Sequence, residues 1–237
     1  MKNFKLDYYF EHLDEFEYKN LFEDCEYPWE ALAKVKPFLN EKIEKANVKI
    51  NNGEVGKFVS IEGNYMIGEG TKIHANVSIE GPVIIGKNCE IQSGALIRPY
   101  TIIGDNCVIG HCAEIKHSII QNKAKVQSMT FAGDSIIGKS TRVGSGTILA
   151  NRRFDQKNIK IKNFQKEKID IGTDFFGAVV GDNARLGANS TTLPGTFIGA
   201  YTWIMPTAQI RGFVEREKRV YPVRENKIED NEKLELK

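Results

Sequence analysis

The sequence predicts an all-β fold, a parallel β-helix of stacked three-faced coils, and three observations carry that prediction. Isoleucine recurs every sixth residue from Ile61 to Ile115, ten times in succession. The position four residues later is small or β-branched in most of these hexads, as at Thr71, Val77, Val83, Ala95, Thr101 and Ala113. Glycine follows the ladder residue at many corners, among them Gly68, Gly86, Gly104, Gly138 and Gly181, where a tight turn favours a residue without Cβ. A chain with about six residues per face needs this period, because stacked coils then bury one continuous apolar column.

Residues 1–50 stand outside the repeat. They are rich in Glu, Phe and Tyr, and Pro28–Lys45 reads as helix, with Trp29, Leu32, Val35 and Leu39 at helical spacing. Pro28 suits a first helical position and Pro37 interrupts the run. This segment is expected to form a partly helical arm that caps the first coil, since an open solenoid end exposes core and sheet edges. The solenoid is assigned to 51–213, with recognisable coils from about Val55 to Asn151. The ladder slips by one residue after Ile115, continues at Ile120, Val126 and Ala132, slips again, and resumes at Ile137, Val143 and Leu149. Residues 151–175 leave the repeat as a protruding basic loop. Within 151–173 that loop carries seven Lys/Arg against three acids. The hexad returns at Val180, Leu186, Thr192, Ile198, Ile204 and Ile210. Residues 214–237 form a charged tail, expected to be exposed at least from Glu225.

Composition narrows the function classes. In 237 residues, 41% are apolar and 27% charged, with a net charge of +2. That balance gives no general nucleic-acid signal. No apolar run approaches the roughly 18 residues needed to span a bilayer. The acidic, aromatic N-terminus does not fit a signal peptide, so a cytoplasmic protein without a membrane partner is expected. The four cysteines (Cys25, Cys89, Cys107, Cys112) lack CxxC spacing. Cys89 and Cys107 lie one coil apart and are expected to stack as small core residues.

The hexads and several local strings resemble the hexapeptide-repeat acyltransferases. Those strings are Leu96-Ile-Arg-Pro99, Ala113-Glu-Ile-Lys-His-Ser118, Gly133-Asp134-Ser135, Gly144 through Asp155, and Thr192 through Ala200. Over residues 94–213 the chain is similar to the acetyltransferase domain of the bifunctional N-acetylglucosamine-1-phosphate uridyltransferases, and more so to the C-terminal domains of archaeal sugar-1-phosphate nucleotidylyltransferases. The resemblance implies a left-handed parallel β-helix, a homotrimer, acetyl-CoA as co-substrate and a sugar-phosphate or nucleotide-sugar acceptor, with no metal required. No GxGTR-type loop precedes the coils, so nucleotidyl transfer is not expected.

The resemblance also implies site residues. Arg98 and Lys116 match the pair that holds the sugar phosphate, a task suited to charge-assisted hydrogen bonds. Asn151 and Lys157 match residues near the sugar and the transferred acyl group. Acetyl-CoA is expected near Ala188 and Pro206, with Arg211, Arg216, Lys218 and Arg219 as cations for its phosphates. Acetyl transfer to an amine needs a general base, and a neutral imidazole suits it. Where the relatives place that His, this chain has Ser128, and Phe131 stands at their Tyr. The slip after Ile115 stacks Ser128 on His111, so His111 is the first candidate for the missing imidazole and His117 the second. Two other classes are weighed: a non-catalytic sugar-phosphate binder on the same scaffold, favoured by Ser128 and Phe131, and a zinc enzyme built on His74, His111 and His117, against which the spacing of those histidines argues.

Overall fold

The computed structural model describes residues 5–162 and 168–223. The chain winds into a left-handed parallel β-helix of about nine turns. Its three faces are parallel sheets: nine strands from Lys49–Asn51 to Phe213–Val214 on the first, nine from Glu54–Val55 to Arg219–Val220 on the second, and eight from Ser60–Glu62 to Gln209–Ile210 on the third. The stacking follows the isoleucine count. Ile85 pairs with Ile103 eighteen residues on, but Ile103 pairs with Ile120 and Ile120 with Ile137, each seventeen residues on. The one-residue slips therefore shorten two coils without disturbing the inward column.

That column is the main core. Ile79, Ile97, Ile115, Ala132 and Leu149 of the third face are buried, as are their counterparts on the other faces. Cys89 and Cys107 sit in it as buried thiols, each directed at the carbonyl of a neighbouring coil, and burial pushes the Cys107 thiol up. Several inward hydroxyls find backbone partners, although those of Thr101 and Thr192 have none among the described residues: Thr71 Oγ1 donates to the Gly86 carbonyl at 2.7 Å and accepts from the Cys89 N–H at 3.0 Å.

The arm does not merely cap the first coil. It lies along the outside of the first face, from Tyr8 against Phe213 to Asn64 against Glu44. The reason is visible in the strands beneath it. The first face carries paired apolar residues, Ile84-Ile85, Ile102-Ile103, Ile119-Ile120, Ile136-Ile137 and Val179-Val180, so its outward side is as apolar as its inward side. Tyr9, Phe10, Phe16, Phe22, Leu32, Val35 and Leu39 of the arm bury those outward residues in a second core. The helix spans Glu30–Leu39, runs through Pro37 without splitting, and continues as a π turn over Asn40–Glu44.

The solenoid also differs from its expected end. Strands Phe213–Val214 and Arg219–Val220 pair with Thr196–Ile198 and Trp203–Ile204, so coil pairing passes residue 213 and reaches Val220. The expected exposure from Glu225 lies outside the described residues. The basic loop leaves after Ile148–Leu149 and contains an antiparallel pair, Lys160–Lys162 with Lys168–Asp170. Its Ile159 and Ile161 are buried in the second core, which folds the loop back onto the body. No helix among the described residues is long and apolar enough to cross a membrane.

Candidate functional site

On the third face, alternation fixes which side chains point outward. Pairing of Leu96–Ile97 with Glu114–Lys116 and then with Phe131–Gly133 puts Arg98 and Lys116 in one outward column, ending at Gly133. A Cβ at Gly133 would lie 2.6 Å from Asn151 Nδ2 and 2.7 Å from the Phe131 ring, so a larger residue there would displace those side chains. The corner that follows stacks Pro99, His117, Asp134 and Asn151 on successive coils. Backbone bonds from the His117 N–H to the Pro99 carbonyl and from the Asp134 N–H to the Lys116 carbonyl hold that stack. His117 and Asp134 both take the left-handed conformation, as do many non-glycine corner residues of this helix.

Asp134 is the hub of the corner. Its carboxylate is nearly buried, with 5% of the side chain exposed. It contacts His117 Nδ1 at 2.7 Å and Lys116 Nζ at 3.2 Å, and accepts a bond from Asn151 Nδ2 at 2.6 Å. Burial alone would raise its pKa. The hydrogen bonds from His117 and Asn151 and the charge of Lys116 outweigh burial and hold the carboxyl below the usual value. Arg98 is bound at 2.9 Å to Glu114.

These residues open onto a cavity of about 900 Å³ between the corner, the arm and the returning loop. Arg98, Lys116, His117 and Asp134 form its polar floor. Tyr27 and Trp29, stacked on each other at 4.5 Å, line it from the arm, and Ile169, Ile171 and Phe175 from the loop. Lys116 Nζ stands 4.4 Å above the Phe175 ring, and Arg152 packs on the same ring at 4.7 Å. A large, mainly apolar cleft with a few convergent charges is the usual form of a small-molecule site.

A second cavity of about 620 Å³ adjoins the first, since Asp170 lines both. It gathers Lys157 and Arg211 with Arg153, Lys160 and Lys168. Asp155 is held down to about 2 by its hydrogen bond from Arg153, and Lys160 faces Asp170 at 3.6 Å. Lys157, Lys168 and Arg211 form no ion pair among the described residues. This cavity suits an anion.

The remaining sequence candidates form a third group. Ser93, His111, Ser128, Ser145, Ala188 and Pro206 stack on the corner between the second and third faces, linked by bonds such as the Met129 N–H to the His111 carbonyl at 2.8 Å and the Thr207 N–H to the Ala188 carbonyl at 3.0 Å. His111 does precede Ser128 by one coil. Its ring, however, turns the other way, with Nδ1 2.6 Å from the Ser93 carbonyl. Among the described residues no hydrogen bond joins it to Ser128. Arg216 binds Glu11 of the arm, Arg219 packs on Trp203 at 4.6 Å, and Lys218 faces Glu215 at 3.6 Å. The three histidines of the zinc alternative have separate partners, Glu90 for His74, the Ser93 carbonyl for His111 and Asp134 for His117. The described residues contain no group of three or more metal-ligating side chains.

Of the residues singled out from the sequence, the structure brings Arg98, Lys116 and His117 together on one cavity; the His117–Asp134 contact was not foreseen. Its signal was the same slip that stacks Ser128 on His111, for Asp134 follows His117 by seventeen residues, one shortened coil.

Comparison with known proteins agrees with this architecture. Residues 79–164 match the GMPPB C-terminal domain, and residues 177–200 the hexapeptide repeat of succinyl-transferase. The bifunctional protein GlmU of Methanococcus aeolicus is 40% identical over 195 residues, which cover 82% of this chain and 46% of the relative. The bifunctional sugar-1-phosphate nucleotidylyltransferase/acetyltransferase of Sulfurisphaera tokodaii is 37% identical over 194 residues, covering 82% and 47%. This chain spans about half the length of these two relatives. YaiX of Escherichia coli K12, described as an uncharacterized acetyltransferase, is 31% identical over 194 residues, covering 79% of this chain and 82% of YaiX. The six-residue ladder, the three-faced solenoid it builds, and a relative matched over most of both lengths lead to one assignment: this chain belongs to the hexapeptide-repeat acyltransferases.

Proposed function

We propose that the protein transfers an acetyl group from acetyl-CoA to an amino-sugar phosphate or a nucleotide sugar. The observation that carries this reading is the convergence of Arg98 and Lys116 on one cavity whose opposite walls are aromatic and aliphatic. The cations offer directional bonds to a phosphate, and the apolar walls cover the rest of the acceptor while excluding water. Both cations are pre-paired with carboxylates. Arg98–Glu114 is a half-exposed pair of the kind that contributes about 0–1 kcal/mol, so exchanging Glu114 for a doubly charged phosphate costs little. The similarity to proteins named as acetyltransferases supports acetyl-CoA as donor. Its phosphates fit the cationic cavity of Lys157, Lys168 and Arg211, which adjoins the acceptor cavity and so brings the thioester to the acceptor. A cytoplasmic homotrimer is the assembly this reading takes, with the donor groove between copies.

The test is thiol release from acetyl-CoA in the presence of amino-sugar 1-phosphates and nucleotide sugars. Turnover with a phosphorylated acceptor, with a raised KM in Arg98→Ala, is the expected result. The second reading, a binding homologue without turnover, rests on Ser128 and Phe131. Thermal stabilisation by the acceptors with none by acetyl-CoA would favour it.

A further inference from the structure

We propose that His117 is the general base of this protein and that Asp134 is its positioning residue. The proposal rests on the acetyl-transfer reading above. Nδ1 of His117 is 2.7 Å from Oδ1 of the nearly buried Asp134, which orients the ring and fixes the proton on Nδ1. Nε2 makes no hydrogen bond among the described residues. The imidazole is 27% exposed and lines the cavity that holds Arg98 and Lys116. Asp134 is itself held by Asn151 and Lys116, so its orientation does not depend on His117. Ser128 and His111 lie at the other end of the third face, a strand length away.

The chemistry balances within the bound pair. The acceptor amine or hydroxyl attacks the thioester carbonyl carbon, and its proton passes to Nε2 of His117. The C–S bond then breaks, and the CoA thiolate takes the proton from the imidazolium. The developing imidazolium is stabilised by ionised Asp134 and opposed by Lys116, with Arg98, Lys36, Glu30 and Asp170 as the other charged groups around the cavity.

The test compares His117→Gln, Asp134→Asn, His111→Gln and a His74→Gln control on an acceptor that the wild-type protein acetylates. His117→Gln is expected to lower kcat by about 10²–10⁴-fold with little change in acceptor KM. It also removes the acidic limb of the kcat/KM profile, while Asp134→Asn shifts that limb. The same loss in His111→Gln, or a His117→Gln variant within about threefold of wild type, overturns the dyad and leaves the acetyl-transfer reading standing. No transfer by the wild-type protein to any acceptor overturns both. Should His117→Gln fail to fold, carbethoxylation of the wild-type chain decides: turnover surviving complete modification of His117 overturns the proposal, and loss prevented by bound acceptor supports it.

Discussion

Asp182 and Glu11, 171 positions apart, are joined by a 2.9 Å hydrogen bond from the Glu11 N–H to the Asp182 carboxylate. The other oxygen of the same buried carboxylate accepts from the Lys139 N–H at 2.8 Å, and the Asp182 N–H donates to the Tyr9 carbonyl at 2.8 Å. One side chain therefore ties the arm to two coils. Asp182→Ala leaves the Glu11 and Lys139 N–H groups without their acceptor, and each buried orphan costs about 1–3 kcal/mol. A total loss of roughly 3 kcal/mol is expected in urea unfolding, with early proteolytic cleavage in the arm.

The two buried aspartates respond to acid with opposite sign. Burial raises the Asp182 carboxyl above its usual value near 3.8, outweighing its backbone donors. Folding is therefore favoured more by the protonated than by the ionised form: the pH-dependent part of its contribution is present below the unfolded pKa and is lost as pH rises through the folded one, while its acceptor role toward the backbone persists. Asp134 is lowered, so its contribution is present above about 3.8 and is lost as pH falls through the folded pKa. Asp134→Asn is expected to cost roughly 2 kcal/mol at pH 7, because a buried charge network loses its centre. That deficit should shrink below pH 4. A constant deficit from pH 7 to 3 in thermal unfolding would contradict the lowered pKa.

Much of this architecture was legible because each ladder residue reports one register. Counting Ile103 to Ile120 gave the shortened coil before any coordinates. What escaped was the outward side of the first face. Ile84, Ile102, Ile119 and Ile136 each precede a ladder residue, and doublets on a face with one buried side announce a second covering layer. Reading that signal would have laid the arm along the solenoid rather than over its first coil. The site was legible only where the resemblance supplied a motif. His117 and Asp134 touch through stacking alone, so residue type gave no warning, although the spacing did. The arm's contribution, Tyr27 and Trp29, has no periodicity to place it on the cavity wall.

Gln121 occupies the corner where neighbouring coils have Gly104 and Gly138. Its side chain is buried, and neither its amide nitrogen nor its oxygen has a partner among the described residues. On the neighbouring coil a Cβ on Gly104 would meet both Asn122 Oδ1, at 2.3 Å, and the Phe16 ring, at 3.1 Å. Replacing the amide by a flexible apolar chain of similar length removes two desolvated polar atoms and keeps the volume. Gln121→Met is therefore expected to raise stability by about 1 kcal/mol. A loss of that size in chemical denaturation would show that the amide is satisfied.

Lys157 and Arg211 offer the final test, because they separate anion capture from chemistry. Each lines the cationic cavity, forms no side-chain ion pair among the described residues, and is absent from the lining of the cavity that holds His117. An unpaired cation near the surface attracts a phosphate by Coulomb energy that solvent and salt reduce, with a screening length of about 8 Å at physiological ionic strength. Removing one such charge weakens ground-state and transition-state binding alike, so KM rises while kcat holds. Lys157→Ala and Arg211→Ala are each expected to raise the KM of the polyanionic donor about 3–10-fold at low salt. Screening weakens the wild-type interaction too, so the gap between wild type and variant should narrow several-fold by 0.5 M salt. Arg98→Ala should raise the acceptor KM instead. A KM change for the acceptor alone in Lys157→Ala would move this cavity from the donor to the acceptor side of the reaction.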